Sequence, residues 1–240
     1  MIYLNLYGII NSVSMMSLIM KCSELAKSSI FAIVSCIICL IVGKITNSSL
    51  IEMFASIMGI INVWLLSKEK VSNFIFGIIC VLSYLYIYYQ TGLYALCVLA
   101  IFQVGFNIFG WYYWVKNQGE DDSVVTSGLS KKGYIIWSIV ILLAWAVWGY
   151  IELNILHASN AILDSLTAIL GLVAQYWLSK KLYENWILWI ISNIAFMAIY
   201  IINGYYVMLI LVIIQLILSI SGLIEWYQSY KEQGSNKILG

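Results

Sequence analysis

The 240-residue chain contains no proline, no arginine and a single histidine, and only 10% of its residues are charged. Without proline, any sharp bend in a helix must form at glycine or in a loop. A net charge of +1 leaves no basic surface of the kind that nucleic acid requires, so no nucleic-acid partner is expected. The one histidine, His157, follows an apolar segment without an obvious metal partner, and we interpret it as a loop residue.

Cysteine is also sparse, with five residues scattered mostly inside apolar segments. Cys36 and Cys39 form a CxxC pair, but no second pair of ligands lies nearby, so packing within a span is favoured over a zinc or redox site. A membrane-embedded enzyme would need a nucleophile and a base, or several metal ligands, at one depth. The sequence favours neither arrangement, and we expect no catalytic residue, no metal site and no cofactor.

Apolar residues dominate the chain instead. Hydrophobic residues make up 63% of the sequence, and the mean hydropathy is +0.95. Because a soluble protein cannot keep so much apolar surface from water, the composition predicts an all-α, polytopic membrane helical bundle. Eight apolar segments follow residue 27, at about the length that a membrane span needs. They lie at 28–46, 50–67, 71–90, 92–115, 133–151, 160–179, 183–202 and 204–228.

Residues 1–27 are apolar but are interrupted by asparagine, by serine and by three charged residues near their end. Lys21 and Lys27 follow the apolar part rather than precede it, which is the wrong order for a cleavable signal. We expect a helix that lies along the membrane surface. A true span is the alternative.

The lysines predict the orientation in the membrane. With eight spans, eleven of the twelve lysines fall on one side, and Lys44 alone falls on the other. Since positively charged loops stay in the cytoplasm, both termini are expected there.

The chain also repeats itself at an offset of 112 residues without gaps. The matched pairs include Gly59 and Gly171, Asn73 and Asn185, Gly92 and Gly204, Gln103 and Gln215, Gly110 and Gly222, and Trp114 and Trp226. An offset of four spans means that both halves enter the membrane in the same direction, related by an axis along the membrane normal. Such halves generally hold a substrate between them near the midplane, so the repeat favours transport over catalysis.

Polar residues near mid-membrane are the first candidates for a binding site. Gln103 lies about 16 Å into its span at 1.5 Å per residue, and Asn107 follows one turn later. Gln215 and Ser219 repeat this spacing in the second half. Hydrogen bonding between helices of the two halves is one interpretation. Two polar walls that face a shared cavity are the other, and the symmetry favours it.

A stripe on the segment 183–204 gives the second group of candidates. Trp186, Trp189 and Asn193 are spaced i, i+3 and i+7, so they share one helical face. Two indoles and an amide could stack on and hydrogen-bond a flat polar ring. An interfacial aromatic belt, with Asn193 joining two helices, explains the stripe equally well.

Tyr84 and Tyr88 share a face with Cys80 and Gly77, which makes these tyrosines further candidates for the cavity. No carboxylate lies securely at mid-membrane, because Glu52, Asp164 and Glu225 fall near predicted ends of the spans. Carriers driven by protons or sodium usually place an ionisable group inside the membrane. The pattern therefore favours uncoupled passage of a neutral or weakly charged solute.

Several of these stretches resemble the PnuC-type vitamin transporter family. The runs NFIFGIICVLSYLYIYYQTGLY and QVGFNIFGWYYW are similar to the first half of these proteins. The run LDSLTAILGLVAQYWLSKKLYENWILWIISN, then NGYY and GLIEW, is similar to their second half. The most specific element is the WxxWxxxN pattern at Trp186, Trp189 and Asn193.

The resemblance implies a three-plus-one-plus-three helix core, related to the SWEET sugar transporters and preceded here by an extra span. It also implies a homotrimer in the bacterial inner membrane that takes up nicotinamide riboside by facilitated diffusion, for NAD biosynthesis. A cytoplasmic kinase would trap the riboside by phosphorylation. Relatives carry thiamine, riboflavin or deoxynucleosides, which are the alternative substrates. A membrane-embedded enzyme or a non-transporting receptor is the alternative from another functional class.

Together these features divide the chain into six expected parts. They are an interfacial helix (1–27), an extra span (28–49), a first three-helix repeat (50–115), a cytoplasmic loop with a linker span (116–159), a second repeat (160–228) and a cytoplasmic tail (229–240).

Overall fold

The computed structural model describes residues 21, 23–90, 94–118, 124–155, 161–202 and 206–236. Their regular secondary structure is α-helical, which confirms the predicted all-α class. Residues 1–20 of the expected interfacial helix, and the predicted loop residue His157, lie outside the described residues.

One helix corresponds to each of the eight predicted apolar segments. In chain order they are α1 (Ser29–Ile45), α2 (Leu50–Ser67), α3 (Asn73–Gln90), α4 (Tyr94–Lys116), α5 (Lys131–Asn154), α6 (Ala161–Ser179), α7 (Asn185–Ile202) and α8 (Tyr206–Asn236). The largest difference is α8, which continues to Asn236 instead of ending near residue 228. A hydrogen bond from the amide of Thr126 to the side chain of Gln233 holds its polar end.

Local sequence explains several helix starts. Ser28 and Ser130 accept a hydrogen bond from the backbone three residues on, at 3.1 Å in each case. Ser49 and Glu52 form a reciprocal capping box at the start of α2. These side chains satisfy amide groups that the first turn leaves without a partner.

Six helical stretches of the described chain have the length and hydropathy to cross a membrane: α2, α3, α5, α6, α7 and residues 209–233 of α8. Helix α1 is apolar but has 17 residues. The linker α5 buries none of its most apolar window, which leaves its apolar face to the surroundings. These helices belong to a multi-pass membrane protein.

The helices pack as two bundles of three. Neighbours along the chain pack together within α2–α3–α4 and within α6–α7–α8. The bundles then meet twice, where α4 packs on α6 and where α8 packs on α2. Helix α1 packs on α2, and α5 packs on α6.

Two hydrogen bonds join the bundles and are equivalent at the 112-residue offset. The indole of Trp114 donates to the carbonyl of Leu178 at 3.3 Å. The indole of Trp226 donates to the carbonyl of Leu66 at 3.2 Å. Each half therefore places a tryptophan from its third helix on the end of the first helix of the other half.

The rings around these tryptophans repeat in the same way. Phe74 packs edge-on against Trp114 with centroids 5.0 Å apart, and Trp186 packs edge-on against Trp226 at 5.6 Å. Glycine makes both approaches possible. A Cβ would lie 2.6 Å from the Phe74 ring at Gly110 and 2.4 Å from the Trp186 ring at Gly222.

Helices α2 and α6 end in the same backbone motif. Glu69 and Lys181 take left-handed conformations, with φ of 59° and 57°, and the next residue bonds back to the carbonyl of Leu65 or Trp177 at 3.0 Å. This is a Schellman ending, in which glycine is the usual residue at the left-handed position. A charged side chain occupies each position here.

These two equivalent side chains meet between the halves. Lys181 Nζ lies 2.9 Å from Glu69 Oε2, and the lysine side chain is fully buried. The ammonium group lies 4.2 Å from the centroid of Trp114 and 4.6 Å from that of Trp226. Burial lowers the pKa of Lys181, and the Glu69 carboxylate opposes that shift. We call Glu69, Lys181, Trp114 and Trp226 the junction.

The connection between the halves, predicted as a polar loop, is partly buried. Val124 is 4% exposed and packs with Trp114 and Trp226. The amide of Thr126 donates to the Gln233 side chain at 2.8 Å, which holds the polar end of α8. Glu184 accepts from the amide of Leu129 and from the hydroxyl of Tyr134. The segment 124–130 thus covers the junction.

We expect that Glu69→Gln will destabilise the protein by roughly 3 kcal/mol, because it leaves a buried ammonium group without its anion. Thermal unfolding of the purified protein in detergent measures this as a lower Tm. Lys70→Met is the matched control, since Lys70 is exposed in the same turn.

The double variant Glu69→Gln with Lys181→Met removes both charges and should recover part of the lost Tm. Equal unfolding temperatures for Glu69→Gln and Lys70→Met would contradict the role of the pair.

Candidate functional site

A cavity of about 360 Å³ lies between the two bundles. Three helices of each bundle line it: α2, α3 and α4 on one side, and α6, α7 and α8 on the other. Neither α1 nor α5 contributes to the lining. Its volume lies within the range of small-molecule sites.

All eight predicted site residues line this one cavity. They are Tyr84, Tyr88, Gln103, Asn107, Trp186, Trp189, Asn193 and Gln215. Their contact with a substrate stays a prediction, but the structure brings them together. The stripe on α7 points into the protein, so the aromatic-belt interpretation does not describe it: Trp186 is 1% exposed.

The two indoles have different surroundings. Trp186 lies over Gly222 and packs edge-on against Trp226, so its ring is held in the interior. Trp189 is partly exposed, and a Cβ added at Gly171 would lie 3.9 Å from its ring, which is an ordinary contact distance. Trp186 therefore forms a wall of the cavity, while Trp189 offers a face on which a flat ring can stack.

The amide of Asn193 joins two helices, and this part of the alternative interpretation does describe the structure. Its Nδ2 donates to Ser219 Oγ on α8 at 3.2 Å, and Ser219 donates to the carbonyl of Gln215 at 2.8 Å. Asn193 is 4% exposed. Its orientation is thus fixed, with the carbonyl oxygen left as an acceptor.

In the first half, Asn107 Nδ2 donates to the carbonyl of Gln103 at 2.9 Å. This bond is the counterpart of the one between Ser219 and Gln215. In these contacts, each polar residue of the cavity bonds to a residue of its own half. They are not the hydrogen bonds between the halves that the alternative interpretation expects.

The tyrosines form a further repeated feature. Tyr84 and Tyr88 stack with centroids 5.9 Å apart, and their counterparts Phe196 and Tyr200 stack at the same distance. Both pairs line the cavity. They lie on α3 and α7, away from the junction.

Asn62 and Gln175 are among the polar residues of the lining that sequence reasoning missed. Their counterparts at the 112-residue offset are Ala174 and Val63, so a search for repeated polar pairs passes over them. A signal was available, because Asn62 is spaced i+3 from Gly59 on α2.

The lining of the cavity combines aliphatic and aromatic side chains with several amides, and none of its described residues is charged. One end is closed by a cluster that includes Leu66, Phe74, Leu178 and Trp186 and that continues into the junction through Trp114 and Trp226. The arrangement can hold a flat ring on an indole and satisfy polar substituents through amides. The described part of its lining offers no cation to neutralise an anionic ligand.

Two bacterial membrane transporters are similar in sequence to this chain. The chain is 28% identical over 215 residues to the nicotinamide riboside transporter PnuC of Escherichia coli (strain K12), covering 79% of this chain and 90% of that protein. It is 29% identical over 188 residues to the nicotinamide riboside transporter PnuC of Neisseria mucosa, covering 74% and 72%.

A solved structure shares the fold. The crystal structure of the vitamin B3 transporter PnuC matches with a TM-score of 0.67 and 24% sequence identity, covering 85% of this chain and 92% of that one. The profile of the nicotinamide mononucleotide transporter family matches residues 49–228. This match confirms the resemblance drawn from the WxxWxxxN pattern, and it confirms a transporter rather than an enzyme. The chain belongs to the nicotinamide mononucleotide transporter family of membrane proteins.

Proposed function

We propose that this protein takes up nicotinamide riboside across the bacterial inner membrane by facilitated diffusion. The observation that carries the proposal is the uncharged cavity between the halves, with an accessible indole and several fixed amides. The names of the relatives, which are nicotinamide riboside transporters, support the same substrate.

The chemistry of the lining suits this ligand. A nicotinamide riboside carries a cationic aromatic ring, a carboxamide and a sugar with several hydroxyl groups. The ring stacks on Trp189, where a desolvated cation gains about 2 kcal/mol from the aromatic face. Asn193, Gln103 and Asn107 offer amide groups to the carboxamide and the hydroxyls, and Gln215, Tyr84 and Tyr88 complete the walls.

The riboside fits better than the mononucleotide that the family description names. A phosphate group needs lysine, arginine or a cluster of backbone amides to replace its hydration. The described lining offers no lysine, and Lys181 is committed to Glu69 on the far side of the closing cluster.

Uncoupled transport follows from the same lining. The described lining has no carboxylate, histidine or lysine that would take up a proton or provide a charged ligand for sodium together with the substrate. Net uptake then depends on removal of the riboside inside the cell. Phosphorylation by a cytoplasmic kinase does this, because the product carries a charge that the cavity does not accept.

We further propose the membrane arrangement. Residues 50–115 and 160–228 form the two halves of a SWEET-like three-plus-one-plus-three core, with the axis that relates them along the membrane normal. Residues 28–49 add an outer span, and 116–159 supply the linker. Both termini lie in the cytoplasm, and three copies assemble, with the unburied face of α5 available to lipid or to another copy.

Proteoliposomes that contain the purified protein should take up labelled nicotinamide riboside until the inner and outer concentrations are equal. Collapsing proton and sodium gradients with ionophores should leave the initial rate unchanged. Enclosing a riboside kinase and ATP should raise accumulation above the outer concentration. A rate that vanishes with either gradient would overturn facilitated diffusion, and an absence of uptake would overturn the substrate.

Trp189→Ala and Asn193→Ala should each weaken riboside binding about tenfold or more, because they remove a stacking surface and a fixed amide. Isothermal titration of the detergent-purified protein measures the Kd. Trp111→Ala is the matched control, since this indole is 38% exposed and outside the cavity. Equal affinities in all three variants would contradict the assignment.

Nicotinamide mononucleotide should bind at least a hundredfold more weakly than the riboside, because its phosphate finds no cation in the described lining. Competition against labelled riboside in the same uptake assay tests this. Comparable inhibition by both compounds would show that the cavity accepts the phosphate, contrary to the proposal.

A further inference from the structure

The cavity is asymmetric where the two halves are superposed by the 112-residue offset. Gly77 of α3 is the counterpart of Trp189 of α7, and Asn62 of α2 is the counterpart of Ala174 of α6. All but Ala174 are in the lining. The second half thus presents an indole where the first half presents a glycine and, beside it, an additional amide.

Two amides converge on that glycine. A Cβ at Gly77 would lie 2.6 Å from Asn107 Oδ1 and 2.8 Å from Asn62 Nδ2. Only a residue without a side chain lets α2 and α4 bring these groups together against the backbone of α3. The position taken by a ring in one half is therefore taken by a pair of amides in the other.

Backbone carbonyls fix how the two amides are turned. Asn62 Nδ2 donates to the carbonyl of Asn73 at 2.7 Å, and Asn107 Nδ2 donates to the carbonyl of Gln103 at 2.9 Å. Since each nitrogen is held by a carbonyl, each Oδ1 is defined as an acceptor. Beside Gly77 the pair therefore presents an acceptor, Asn107 Oδ1, next to a donor, Asn62 Nδ2, and such a pair suits a ligand with adjacent hydroxyl groups.

We propose that Asn62 is a specificity-determining residue that, together with Asn107, binds the adjacent hydroxyl groups of the sugar. This inference rests on the riboside proposed above as substrate. It also fixes the orientation of the substrate: the ring lies on Trp189 of the second half, and the sugar lies against Gly77 of the first.

If Asn62 had only a structural role, its substitution would have a different effect from the one that hydroxyl recognition predicts. The bond from Asn62 to Asn73 joins α2 to α3, and its loss alone would weaken every ligand by the same factor. Hydroxyl recognition instead weakens only ligands that carry the hydroxyls, since a site built to bond a hydroxyl discriminates against analogues that lack it.

The experiment is isothermal titration of the full-length protein in detergent with nicotinamide riboside and with its 2′,3′-dideoxy analogue. The wild type should bind the riboside at least tenfold more tightly than the analogue. Asn62→Ala should weaken the riboside about tenfold, as the loss of one hydrogen bond implies, and change the analogue less than threefold.

Gly77→Ala provides a second test through the same pair. The added methyl group should displace both amides and reduce the ratio of the two affinities. Gly105→Ala on α4 is the matched control, because a Cβ there would have no atom within 4 Å. If Asn62→Ala does not yield folded protein, the comparison of the glycine variants decides.

The results separate this inference from the function on which it rests. A wild type that binds neither compound overturns the riboside as substrate. A wild type that binds both equally, or an Asn62→Ala variant that weakens both by one factor, leaves the transporter intact and overturns hydroxyl recognition. An undiminished ratio in Gly77→Ala overturns it as well.

Discussion

The contact between Lys181 and Glu69 is the interaction on which the arrangement of the two bundles depends. Removing an ammonium group from water costs several kcal/mol unless an anion and polarisable partners replace the hydration. Glu69 and the face of Trp114 supply partners from the first half, and the face of Trp226 supplies one from the same half as Lys181. Each half is thus incomplete without the other, and the bundles are held together at the lysine-rich end.

This junction also determines where the cavity lies. Next to it, Phe74 and Trp186 close the space between the bundles, and on the other side of these rings the helices enclose the cavity. Trp186 belongs to both the closing cluster and the cavity wall. The cavity is therefore one ring away from the residues that hold the halves together.

Much of this could be predicted from the sequence, because apolar length defines helices and helical spacing defines faces. The eight segments, the 112-residue repeat and the stripe of Trp186, Trp189 and Asn193 all follow from such patterns. The burial of Lys181 does not, because a lysine after a helix normally lies in water. Asn62 was missed because its counterpart is apolar, and the packing of Val124 was missed because the surrounding loop is polar.

Glu69 and Lys181 occupy the same position of the repeat but carry opposite charges. Two identical copies of either half would therefore set carboxylate against carboxylate, or ammonium against ammonium, in a space closed to water. Like charges at that distance repel strongly in such surroundings. Divergence at this one symmetry-related position therefore disfavours the pairing of two identical halves and favours the pairing of one half with the other within the chain.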